Sequence, residues 1–121
     1  MSIDNPQSTR ELIERLYGIN AFFVATAKVT GGAGSIVSGA PLASHRANLF
    51  ILNLSANVLY ALPMGAPSAT NGIRLDPNGG RILLNFKDDL ELCTYEWNIF
   101  DAVGGSNYLI GETLLVEPLQ G

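Results

Sequence analysis

"TNGIRLDPNGGRILLNF", Thr70 to Phe86, sets two short apolar runs on either side of a dense cluster of turn residues. Pro77 presets one turn torsion, and Asn78, Gly79 and Gly80 tolerate positive φ, so "GIRL" and "RILLNF" are expected to be the arms of a hairpin closed by "DPNGG". The stretch holds no nucleophile, base or set of metal ligands. Its reading therefore decides fold class and leaves function to surfaces.

The same alternation of β-rich runs and turn residues extends both ways along the chain. "NAFFVATAKV", 20–29, reads as a strand, "TGGAGS" as a flexible turn and "SIVSGA" as a weak edge segment. "ANLFILNLS", 47–55, is apolar on both faces and so reads as a central strand. "NVLYALP" is a strand ended by Pro63. "LELCTYEWNIF", 90–100, reads as a strand with Cys93, Tyr95, Trp97 and Ile99 on one face. "YLIGETLLVEP" closes the domain, with Gly111 a candidate bulge. About seven or eight short strands at hairpin spacing predict a mainly β fold, an antiparallel β-sandwich or jelly roll.

The N-terminus breaks this pattern. Residues 1–7 are polar and read as an arm, and a short N-terminal helix over 9–17 follows, capped by Ser8 with Glu11 and released by Gly18. Leu12, Ile13, Leu16 and Tyr17 form its apolar face. So short a helix persists only when that face is covered, so these four are the candidate interaction residues, expected to contact a neighbouring chain. The domain organisation is thus an N-terminal arm and helix, 1–18, followed by a β-sandwich domain, 19–121.

Composition points the same way. The chain is 47% hydrophobic and only 15% charged, which is high for 121 residues and predicts apolar surface meeting other chains, in a homo-oligomer. The net charge is −4, with basic residues scattered at Arg10, Arg15, Lys28, Arg46, Arg74, Arg81 and Lys87, so no nucleic-acid stripe is expected. No run of about 18 apolar residues predicts a membrane span, and the first residues lack a secretory pattern, which points to production in a cytoplasm. One cysteine and one histidine exclude an intrachain disulfide and a Cys/His zinc site within one chain.

Individual residues offer little chemistry. Ser44 and His45 are adjacent and point apart on an extended chain, so His45 reads as a surface residue. Cys93 reads as core packing. Asp88 and Asp89, with Asp76 and Asn78, supply oxygens for a calcium site but lack the ligand spacing of a calcium loop, and read as solvated turns. "GGAG" lacks the helix and lysine of a phosphate cradle. Tyr95, Trp97 and Tyr108 are weighed as a sugar platform against a simple core role. No enzyme activity, cofactor or metal is expected.

Taken as a succession, "NLSANVLYAL", "SATNGIRLDPNGGRILLNF" and "DDLELCTYEWNIF" resemble the small β-sandwich accessory virion proteins of tailed bacteriophages. The resemblance covers the last two-thirds of the chain. It implies a capsid cement, decoration or head-fibre type protein that binds the major capsid protein and stabilises the head shell, with a trimer on a local three-fold position favoured. It also implies a location in the virion after synthesis in the host cytoplasm. The alternative it carries is a tail or fibre component acting as a receptor- or glycan-binding module through Trp97 and the loop tips.

Overall fold

The computed structural model describes residues 20–116, which form eight strands in two four-stranded antiparallel sheets. They are β1 (Asn20–Val29), β2 (Ser35–Ala40), β3 (Arg46–Asn53), β4 (Leu59–Pro63), β5 (Ile73–Leu75), β6 (Arg81–Asn85), β7 (Trp97–Asp101) and β8 (Asn107–Val116). One sheet has the order β1-β8-β3-β6 and the other β2-β7-β4-β5. All other consecutive strands lie in different sheets, so β4–β5 is the one sequential pair that is hydrogen-bonded. This interleaving is the eight-stranded jelly roll.

Alternation explains the core. In β3, Leu49 and Ile51 point between the sheets, and they meet Ile82 of β6, Ile110 and Tyr108 of β8, and Leu59, Ala61, Leu75, Trp97 and Ile99 of the facing sheet. Gly111 lies in unbroken register, opposite Ala25 on one side and Phe50 on the other. It is no bulge. The residue is glycine because the Phe50 ring lies over it, 1.9 Å from where a Cβ would stand. The register shifts instead fall between Arg46 and Asn48, and between Ser38 and Ala40.

Two local expectations are overturned. β5 pairs with β4 and β6 with β3, so "DPNGG" crosses from one sheet to the other and closes no hairpin. The turn chemistry is as read, with Asn78 at φ 58 and Gly79 at φ 123, but its backbone docks sideways. Asn78 N donates to Ser55 O, Gly79 N to Asn53 O, and Asn53 N to Gly80 O. The hairpin is β4–β5, closed by the Ser68–Asn71 bridge.

Likewise, only residues 97–100 of the 90–100 segment are strand, where β7 begins. Asn85 caps a single helical turn, α1 (Phe86–Asp89), by accepting from Asp88 N, and a 3-10 turn follows over Leu90–Thr94. The cap and the carboxylate of Asp89, which accepts from Asn85 N, turn the chain before an extended run can start. The expected N-terminal helix, with Leu12, Ile13, Leu16 and Tyr17, lies outside the described residues.

Candidate interaction surface

The outward face of β1-β8-β3-β6 departs from the polar exterior of an ordinary sandwich. Because Leu49, Ile51, Ile82, Tyr108 and Ile110 point inward, their strand neighbours point out: Asn48, Phe50 and Leu52 on β3, Leu83 on β6, Leu109, Gly111 and Thr113 on β8, and Phe23, Ala25, Ala27 and Val29 on β1. Phe23 and Phe50 stack at a centroid distance of 6.0 Å and an interplanar angle of 20°. Phe23 is 63% exposed and Leu83 is 65% exposed. Arg81, at the rim on β6, is the single charge among these outward positions of the described residues. A contiguous apolar face of this kind marks a contact surface.

A second apolar concavity lies at the base of the sandwich, where β3 begins, β8 ends and the α1 connection passes. This groove, about 750 Å³, is lined by His45, Arg46, Phe86, Leu90, Leu92, Cys93 and Leu115, among others. Arg46 builds it. Its guanidinium is buried and donates to Cys93 O (2.6 Å), Tyr95 O (2.6 Å) and Pro41 O (2.9 Å), with Glu112 at 3.9 Å. Burial pulls its pKa down, against the opposing pull of Glu112 and Cys93. The three carbonyls belong to the 3-10 turn, its exit and the β2–β3 loop, so one side chain fixes all three.

The groove contains the two residues most open to a reactive reading. The Cys93 thiol is fully buried, donates to Leu90 O and Arg46 O, and is raised in pKa by desolvation, so it stays a thiol at neutral pH. His45 is exposed, and its backbone carbonyl accepts from Leu115 N. The candidate calcium oxygens are not brought together. Asp76 pairs with Arg74 before β6, while Asp88 and Asp89 are engaged with Asn85 after it. Among the described residues no three His, Cys, Asp or Glu side chains come together as metal ligands. Trp97 and Tyr108 are each 2% exposed and belong to the core, so the sugar platform is not formed; the indole N–H donates to Leu92 O. No helix among the described residues is long and apolar enough to cross a membrane.

At the opposite end, two buried polar residues that the sequence reading passed over tie the loops together. Asn53 donates to Asn57 O, Leu75 O and Asp76 O and accepts from Ser55. Asp101 accepts from Thr30 and from Val103 N. Burial pushes the Asp101 pKa up, but hydrogen bonds from Ser106, Thr30 and the Gly104 and Val103 amides outweigh it and leave the carboxyl below its ordinary value. Their only sequence signal was a polar residue at an inward strand position.

No protein-family model and no curated protein matches the sequence. Among solved structures the chain is similar to the disulfide-linked pili of Bacillus endospore appendages, with a TM-score of 0.48 and 10% identity over 84% of this chain and 89% of that one. It is similar to the coat protein of Tobacco streak virus at a TM-score of 0.46 and 10% identity, again over 84% and 89%. A dTDP-4-dehydrorhamnose 3,5-epimerase of Bacillus anthracis gives a TM-score of 0.45 at 15% identity, over 94% of this chain and 63% of that one. With identities and scores this low, none of these likenesses carries an argument about what the chain does.

Proposed function

We propose that this chain is an accessory structural protein of a tailed-phage virion, a cement or decoration protein that stabilises the head shell. In this reading it lays the outward face of β1-β8-β3-β6 against the major capsid protein and catalyses nothing. The observation that carries the proposal is that face itself, apolar from Phe23 to Leu83 with Arg81 as its single charge among the described outward positions. Each large apolar side chain fully covered there contributes about 1.5–3 kcal/mol, and a repeating shell multiplies modest contacts into firm retention. The same face accounts for part of the chain's apolar excess.

The test is co-sedimentation of purified protein with phage heads lacking it, comparing wild type with Phe23→Asp and Leu83→Asp. Both positions are outward and exposed, so both variants are expected to fold and to lose binding. Undiminished binding by two folded variants would remove the face from the proposal. Attachment to tails and not heads would favour the fibre reading.

A further inference from the structure

The outward sheet face leaves the basal groove unexplained. Around that groove Phe86, Leu90 and Leu92 stand 59%, 70% and 39% exposed. Leu90 is held at φ 54 and ψ −127, backbone that a non-glycine residue adopts only under strain.

We propose that the groove receives residues 9–17 of the same chain, docked as a helix through Leu12, Ile13, Leu16 and Tyr17. The argument begins with where the N-terminal segment joins the sandwich. β1 starts at Asn20, which pairs with Val116; the preceding residue of β8, Leu115, lines the groove and donates its N–H to His45 O at the start of β3. β1 and β3 are separated by one intervening strand, about 10 Å in all, and Gly18 and Ile19 bridge roughly that distance when extended. From the start of β3 the groove continues along Phe86 and the Asp89–Tyr95 connection, and a helix over 9–17, roughly 14 Å long, would lie along that connection.

Charge agrees with this placement. Asp89 and Glu91 line the groove, while Arg10 borders the apolar face of the segment at helical spacing. A neighbouring chain was the partner expected from sequence alone. The chain's own groove has the advantage of proximity, because a two-residue connector holds the segment at high effective concentration beside it. The proposal does not depend on the shell-binding reading, since the groove and the outward face are separate surfaces.

Paired thiols test it in the full chain. Leu16→Cys with Leu90→Cys is oxidised mildly and compared with Glu14→Cys plus Leu90→Cys, in which the first thiol sits away from the apolar face. Peptide mapping and non-reducing electrophoresis identify the linkage, and Trp97 fluorescence confirms folding. The expected result is a link within one chain, from position 16 to position 90, formed at least about tenfold faster than in the Glu14 control. Links between molecules, equal rates in the two pairs, or no link in a folded protein would each overturn the proposal. As a second measurement, Leu12→Asp with Leu16→Asp is expected to raise binding of a hydrophobic dye several-fold. A rise on removing residues 117–121, with none from the Asp pair, would assign the groove to the C-terminal segment and overturn it as well.

Discussion

Replacing Arg46 with methionine keeps most of its length and removes every donor. The carbonyls of Pro41, Cys93 and Tyr95 would then lose their guanidinium partner. A hydrogen bond from a charged donor is worth about 1.5–3 kcal/mol, so the gross loss is about 5–9 kcal/mol, and the relief of not burying a guanidinium returns part of it. The expected net destabilisation is about 3–5 kcal/mol, the usual cost of breaking a buried charged contact. At about 4 °C per kcal/mol for a domain of this size, the melting temperature should fall by about 12–20 °C. Urea unfolding followed by Trp97 fluorescence measures the difference directly. Salt should change it little, because a buried group is poorly screened. Glu112→Gln separates the ion pair from the carbonyl bonds: with its carboxylate 3.9 Å away, it should cost less than about 1 kcal/mol. If Arg46→Met lies within about 1 kcal/mol of wild type, or Glu112→Gln costs as much as Arg46→Met, the assignment of Arg46 as the clasp of the base is refuted.

Gly111→Ala should destabilise by about 1–3 kcal/mol, because a Cβ there forces the Phe50 ring off its seat and out of its stack with Phe23; a variant as stable as wild type in thermal melts would contradict this. Gly79→Val and Gly80→Val should both lower the melting temperature, the first through its φ of 123° and the second because a Cβ would stand 2.2 Å from Asp76 N, whereas two unchanged melting curves would reject the turn assignment. The depressed Asp101 carboxyl contributes stability that is complete above its ordinary pKa of 3.8 and is lost as pH falls through the lower folded value. Asp101→Asn should therefore be less stable at neutral pH and show a flatter acid limb in calorimetry; an unchanged limb would count against the network. Cys93 should be alkylated only as fast as the protein unfolds, and rapid labelling of the native state would contradict its burial.

Sequence by itself determined the class of this fold and the places where the chain turns. The runs 20–29 and 35–40 were legible at the bounds they have, because β-branched and aromatic alternation and glycine-rich turns are properties of neighbouring residues. Sheet membership was not legible. "DPNGG" has hairpin chemistry, yet Asn53 and Ser55 draw it across to the other sheet, and those partners are more than 20 positions distant in the chain. The 90–94 segment carries a strand's alternation, and only the Asn85 cap and the Arg46 clasp convert it to a 3-10 turn. "ANLFILNLS" is apolar on both faces, and alternation cannot tell a second buried face from one offered to a partner. The pairing of Phe50 with Leu83 and Gly111, and the stacking of Phe23 on Phe50, assemble the candidate surface from four separate segments of the chain. Composition foretold that such a surface exists; its location depends on strand register, which long-range packing alone decides.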